Sequence, residues 1–251
     1  MKRNWKKEEL TYTFTGKKGG VLILHGFTGT PITLKRLARH IHRKGFSVSA
    51  PLIPGHGEPV EILNQATMEQ WIDTADKAFL ELKKNHENVY VLGYSLGSLL
   101  ALELASRREV QGLILISTAL KFTQSPEHRR MIAEDKRPLI PIDEIFSHDD
   151  PQRFYEYKLW PALAFRQVFS LSMKVRRLLP TIHAPVKAFH GMKDTLTPPE
   201  NTEYLSKNIG SQEICIERLE NSHHRILAGI DQDYVIRKSS EFLDKLMKNI
   251  Q

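Results

Sequence analysis

The chain has 251 residues, 41% hydrophobic and 26% charged, which is enough for one α/β domain with a sizeable core and leaves no low-complexity tract or repeat. No apolar run reaches membrane-spanning length, and the basic stretch from Met1 to Glu9 has no apolar segment after it, so neither an integral membrane segment nor a secretory signal is expected. The net charge of +7 is scattered in pairs such as Lys17-Lys18, Arg107-Arg108, Arg129-Arg130 and Arg176-Arg177, without an aromatic-interleaved stripe, so no nucleic-acid partner is expected.

Leu10 to Phe14 and Val21 to Leu24 read as strands joined by a Gly/Lys turn, the first placed antiparallel at a sheet edge. His25-Gly26-Phe27-Thr28-Gly29 follows, and Thr30-Pro31 opens a helix whose buried face carries Leu34, Leu37, Ala38 and Ile41. Gly45 stops that helix before a strand at Phe46 to Ala50 and a Pro/Gly loop through Gly57. Thr67 with Gln70 forms a capping box for a helix bearing Trp71, Ala75, Ala78, Phe79 and Leu82. Val89 to Leu92 and Leu113 to Ile116 are short β-branched or apolar runs of the buried-strand type. From Ala119 to Thr181 the alternation breaks into a charged, aromatic and helix-like stretch punctuated by Pro138, Pro141, Pro151 and Pro161. Strands resume at Val186 to Phe189 and Glu213 to Leu219. A helix opens at Thr197-Pro198-Pro199, and another at Asp231 or Gln232 carries Val235, Phe242, Leu243 and Leu246.

Strands alternating with helices predict an α/β fold with a mostly parallel, doubly wound sheet. Residues 1–118 and 182–251 form its core, and 119–181 form a helical cap over the site, because an insertion this long exceeds ordinary connections. The aromatics Phe122, Phe146, Phe154, Tyr155, Tyr157, Trp160, Phe165 and Phe169 serve the cleft or the cap's own core. Cys215 is the single cysteine, which fits a cytoplasmic protein without disulfides, and its strand position gives it a packing role.

The chemistry centres on Gly93-Tyr94-Ser95-Leu96-Gly97, between the strand Val89–Leu92 and the Leu/Ala-rich helix that runs to Ser106. A serine flanked by glycines at a strand-to-helix junction is a nucleophile elbow, with the side chain held out above a sheet. Its hydroxyl is a poor nucleophile until a histidine takes the proton and a carboxylate orients that histidine. The order Ser, acid, His is met by Ser95, by Asp194 after the strand ending at His190, and by the pair His223-His224 after the last strand. Glu217 and Glu220 rival Asp194 but lie on or just beyond the last strand. The backbone N–H groups of Phe27 and Leu96 are the expected oxyanion donors, with Gly26 and Tyr94 beside them as substrate-binding residues. His25, His56 and His190 read as structural. Asp143-Glu144 and Asp149-Asp150 have no His or Cys at ligand spacing, so no metal is expected.

These motifs resemble the compact bacterial carboxylesterases and monoacylglycerol lipases of the α/β-hydrolase superfamily, over nearly the whole chain. They are His25 to Gly29, Pro51-Leu52-Ile53-Pro54-Gly55-His56-Gly57, the elbow, Asp194 and Asn221 to His224. The resemblance implies that His224, followed by Arg225-Ile226-Leu227, is the base rather than His223. It also implies a serine carboxylester hydrolase, needing no cofactor, that cleaves short- to medium-chain apolar monoesters, monoacylglycerols being the natural candidate, through an acyl-enzyme on Ser95. Ser95 argues against the carboxylate-nucleophile epoxide hydrolases and dehalogenases of the same fold. A thioesterase, a carbon–carbon bond hydrolase or a non-catalytic receptor could use the same scaffold. The chain departs from the family at Gly97-Ser98, usually two glycines, and at His223, more often Gly or Tyr.

Overall fold

The computed structural model describes residues 10–122, 136–141 and 157–249. Three strands come early: β1 (Tyr12–Phe14), β2 (Gly20–Leu24) and β3 (Ser47–Ala50). Helix α1 (Lys35–Arg43) lies between β2 and β3 and is entered through a 3₁₀ turn at Pro31–Leu34. A short α2 (Val60–Leu63) precedes α3 (Met68–Lys83), whose Thr67–Gln70 capping box is formed from both sides. Next come β4 (Val89–Tyr94), α4 (Leu96–Ala105) and β5 (Leu113–Ile116). After the insertion, β8 (Val186–Gly191), α6 (Asn201–Asn208), β9 (Ile214–Leu219) and α7 (Gln232–Lys248) complete the chain. Pro198 and Pro199 sit in the turn before α6, whose first residue is Asn201.

The seven-stranded sheet has the order β1-β3-β2-β4-β5-β8-β9, and every pairing but the first is parallel. β1 runs antiparallel to β3 at the edge, so the Gly16–Gly20 turn does not form a hairpin with β2. Alternate residues of each strand enter opposite cores, as the two-residue period of a strand requires. Leu22, Leu24, Val91, Leu113 and Leu115 pack with Trp71 and Phe79 of α3 and Leu99 and Leu102 of α4. Val21, Ile23, Leu92, Ile114 and Ile116 pack with Leu37 and Ile41 of α1 and Val235, Phe242 and Leu243 of α7. Both faces are covered, which is why β2, β4 and β5 are continuously apolar. Each fully buried Leu or Ile contributes about 1.5–3 kcal/mol of transfer free energy.

Within the insertion, β6 (Leu139–Pro141) and β7 (Leu159–Pro161) form a two-stranded antiparallel ribbon with Ile140 opposite Trp160, and α5 (Ala162–Leu178) follows at once. The ribbon departs from the helical reading of this stretch. Its two strands are three residues each and lie far apart in sequence, too short to show an alternation. The first turn of α5 has no cap from its own N-cap residue. Instead Asn64 Oδ1, just past α2, accepts the Leu163 and Ala164 N–H groups at 2.9 and 3.3 Å. At its other end Lys174 Nζ lies 2.9 Å from Glu103 Oε1 of α4, pinning the insertion to the helix that follows the elbow. Phe146, Phe154, Tyr155, Arg129-Arg130, Asp143-Glu144 and Asp149-Asp150 lie outside the described residues.

The packing role expected for Cys215 does not hold. β9 is an edge strand with alternately covered residues, and Cys215 is exposed, with Lys187 Nζ 3.1 Å from its Sγ. Among the described residues no helix is long and apolar enough to cross a membrane.

Candidate active site

Ser95 sits between β4 and α4 with φ +53° and ψ −112°, a conformation costing a non-glycine residue about 1–3 kcal/mol. The flanking glycines make that turn sterically possible. A Cβ on Gly93 would lie 2.2 Å from the Gly97 carbonyl oxygen, and one on Gly97 would lie 2.0 Å from that of Leu24. The junction is locked from below by Ser98, fully buried, whose hydroxyl reaches the carbonyls of Gly93 at 2.8 Å and Ile116 at 3.1 Å. The departure from a second glycine therefore fastens the elbow and does not reach the cleft lining.

The loops after β8 and β9 bring the other groups to this hydroxyl. His224 Nε2 lies 3.0 Å from Ser95 Oγ, and His224 Nδ1 lies 2.7 Å from Asp194 Oδ2. With its Nδ1–H given to the carboxylate, the ring has a lone pair at Nε2 for the serine proton. His223 turns away, its Nδ1 donating to the Lys193 carbonyl at 2.9 Å. Glu217, on β9, pairs with Lys187 and Tyr234 and takes no part in this arrangement.

Asp194 is buried and its carboxylate is densely solvated by the protein. Oδ1 accepts the N–H groups of Leu196 and Thr197, each at 2.9 Å, and Oδ2 accepts the Thr197 hydroxyl at 2.7 Å. Burial alone would raise its pKa. Attraction and hydrogen bonds from the facing His224 and His190 rings outweigh burial and hold the carboxyl well below the usual range. His224 is fastened through its carbonyl as well, which accepts Ser117 Oγ at 2.8 Å and Tyr94 Oη at 3.3 Å. Ser117 directly follows β5 with φ +50°.

Neither Thr197 nor Ser117 was legible as part of the site. Thr197 stands at the spacing of an Asp side-chain turn, a signal present at Asp194-Thr195-Leu196-Thr197 but common in loops. Ser117 carries no local signal.

The loop after β2 supplies the opposite wall. Gly29 N–H bonds the Gly26 carbonyl at 3.2 Å, closing a turn that carries Phe27 and a positive-φ Thr28. Leu96 is the first residue of α4, where an N–H has no partner inside the helix. His25 ties the Phe27 loop to the next one: its Nδ1 meets the Gly26 carbonyl at 2.9 Å and its Nε2 accepts the Ile53 N–H at 3.0 Å. His56 Nδ1 reaches the Ile53 carbonyl at 3.1 Å, and its ring packs edge-on to His25 and Phe27. Nε2 of His25 can accept the Ile53 N–H only while that ring is neutral. Burial lowers the His25 pKa well below 6.5 and that of His56 to about 4.

Ser95 and His224 open onto a cleft of about 820 Å³, part of it continuous with solvent. Phe27, Phe122, Trp160, Phe165, Val168 and Leu196 make an apolar wall, and Gly26, Gly29, Tyr94, Thr28, Thr33 and Arg225 complete the lining. Phe122, Trp160, Phe165 and Val168 come from the insertion. Among the described lining residues there is no carboxylate, and among the described residues no group of three metal-ligating side chains occurs.

The model of the serine aminopeptidase S33 family, Hydrolase_4, matches residues 15–231. The chain is 30% identical to a thermostable monoacylglycerol lipase of Bacillus sp. (strain H-257) over 227 residues, 90% of each protein. It is 23% identical to a carboxylesterase of Bacillus subtilis (strain 168), covering 94% of this chain and 96% of that one. A solved structure from work on LipS and LipT, two metagenome-derived lipolytic enzymes, superposes with a TM-score of 0.84 at 26% identity, covering 94% of this chain and 97% of that chain. With the elbow, the parallel sheet and these matches in agreement, the protein belongs to the Hydrolase_4 (S33) family and has the α/β-hydrolase fold.

Proposed function

We propose that this protein is a serine carboxylester hydrolase that cleaves short- to medium-chain apolar monoesters, monoacylglycerols among them, through an acyl-enzyme on Ser95. The observation that carries this reading is the continuous relay from Ser95 Oγ through His224 to Asp194, at 3.0 and 2.7 Å, opening on an apolar cleft. His224 takes the serine proton as Oγ attacks the ester carbonyl, and then delivers it to the leaving alcohol. Asp194 keeps the ring in its Nδ1–H form and stabilises the imidazolium. The Phe27 and Leu96 N–H groups receive the oxyanion, each such donor supplying about 3–4 kcal/mol in hydrolases of this kind. Water, deprotonated by the same histidine, then releases the acid. These steps draw on the chain's own groups and water, without a cofactor.

The similarity to the Bacillus sp. monoacylglycerol lipase and the B. subtilis carboxylesterase supports the substrate class. An aminopeptidase substrate, by contrast, presents a cationic amine. The described lining offers that amine no carboxylate and places Arg225 in the cleft. Residues 119–181 serve as the cap, with Phe122, Trp160, Phe165 and Val168 covering the acyl chain. The single cysteine fits work in the cytoplasm.

The test is a panel of p-nitrophenyl esters from acetate to palmitate with 1-monoacylglycerols, run beside Ser95→Ala. Turnover should fall by about 10⁶-fold in the variant, which should keep the wild-type melting temperature. Turnover retained in folded Ser95→Ala, or a wild type inert on every ester, would overturn the reading.

A further inference from the structure

We propose that Thr197 is a positioning residue of the relay: its hydroxyl closes a three-membered hydrogen-bond ring with Asp194 and His224 and fixes which carboxylate oxygen the imidazole addresses. This rests on the reading of Ser95, His224 and Asp194 as the reacting set. Thr197 Oγ1 lies 2.7 Å from Asp194 Oδ2 and 3.1 Å from His224 Nδ1, and the residue is fully buried.

The hydroxyl has one proton, and the carboxylate can only accept, so that proton goes to Oδ2. The oxygen lone pairs are then turned toward the Nδ1–H of His224, which is shared between Oδ2 at 2.7 Å and Thr197 Oγ1 at 3.1 Å. A ring held by two acceptors on one side cannot rotate about its Cβ–Cγ axis without losing both. A ring held by one carboxylate oxygen alone can swing with it.

The backbone of Thr197 is itself held in place from two sides. Its N–H bonds Asp194 Oδ1 at 2.9 Å, so residue and carboxylate form one turn. Its carbonyl accepts His190 Nε2–H at 2.9 Å, and the same nitrogen stands 3.4 Å from Asp194 Oδ2. The titratable groups facing this turn are His190 from β8, His224 from the loop after β9, and Tyr94 from the end of β4, with Arg225 acting on Tyr94. Thr197 does not line the cleft, whereas its neighbour Leu196 does. Its effect must therefore pass through the relay and not through substrate binding.

Two consequences follow for Thr197→Val, which keeps the shape and removes the hydroxyl. The loosened ring lowers kcat by about tenfold with KM unchanged, the scale of one hydrogen bond to a charged group. The carboxylate, no longer shared with the hydroxyl, stabilises the imidazolium more strongly, so the acid limb of kcat/KM moves to higher pH. Thr197→Ser restores both, since it returns the hydroxyl.

The experiment compares wild type, Thr197→Val and Thr197→Ser by ester kinetics across pH, with melting temperature as the folding control. Proton NMR of the His224 Nδ1–H in the substrate-free protein provides a readout independent of turnover. The expected result is a shifted and faster-exchanging Nδ1 proton in Val, wild-type behaviour in Ser, and the kcat and pH changes above. If Val is folded and matches wild type in kcat, pH profile and Nδ1 proton, the proposal is overturned. Should Val not fold, Thr197→Ser together with Thr197→Ala carries the same comparison. If wild type hydrolyses no ester, the reading of the reaction fails, and the Nδ1 proton alone decides whether Thr197 holds the ring.

Discussion

The elbow and the acid–base loops meet at one serine hydroxyl, yet they are held by different means. The elbow is fixed by backbone sterics: Ser95 at φ +53°, Gly93 and Gly97 pressed within 2.2 and 2.0 Å of carbonyl oxygens as judged by the Cβ each lacks, and Ser98 beneath. The acid–base loops carry no such strain at Asp194 or His224. They are fixed by side-chain hydrogen bonds drawn from three separate strand ends, through Tyr94 at β4, Ser117 at β5, and His190 and Thr197 at β8. A site can thus be rigid through conformations that only certain residues permit, or through partners that only the fold supplies.

The largest effect that separates the two regions comes from the histidine pair. His224→Ala should cut ester turnover by about 10⁶-fold, while His223→Ala, whose ring faces the Lys193 carbonyl, should change it by no more than about threefold. Initial rates on one good ester decide it, and the reverse ranking would assign the base to His223.

Next in size is the steric demand of the elbow. Gly97→Ala drives a Cβ into the backbone at Leu24 and should cost about 4 kcal/mol or more of stability, read as a collapsed urea midpoint or loss of soluble protein. A Gly97→Ala protein with the wild-type midpoint would mean the elbow is looser than its geometry demands.

The smallest effect is acid sensitivity from the histidines behind the Phe27 loop. His56 falls from 6.5 to about 4 on folding, because burial disfavours its charged form, and His25 is lowered as well, by burial and by the facing His56 ring. Between about pH 6.5 and pH 4 the unfolded chain takes up protons that the folded rings refuse, so stability declines as pH drops through that window. His56 alone accounts for about 3 kcal/mol by pH 4. Asp194 adds to the loss only below about pH 4, where the unfolded carboxylate protonates first. Urea midpoints at pH 7, 5.5 and 4.5 should fall in order; a flat series would remove the neutral-histidine account.

This contrast also explains what the sequence made legible. Glycines at 93 and 97 advertise a strained turn locally, and the apolar runs of β2, β4 and β5 advertise strands buried on both faces, so elbow and sheet could be read directly. Asp194 was legible from its place after a strand. The choice of His224 over His223 came from family resemblance, because adjacent residues in a loop have no periodicity to tell them apart. The Asp-turn spacing that Thr197 does show is common in loops, while Ser117 acts only through His224 from another strand end and nothing in its own neighbourhood marks it. The same holds for β6 and β7, each three residues long, and for Cys215, whose strand was legible but whose position at the sheet edge was not.

Covalent trapping tests whether Ser95 is the nucleophile. The wild-type protein should be treated with a long-chain fluorophosphonate and mapped by peptide mass spectrometry. A single adduct on Ser95, formed at the rate that ester turnover is lost and absent from Ser95→Ala, is the result this account requires. An adduct on another residue with turnover abolished, or full activity after stoichiometric labelling of Ser95, would contradict it.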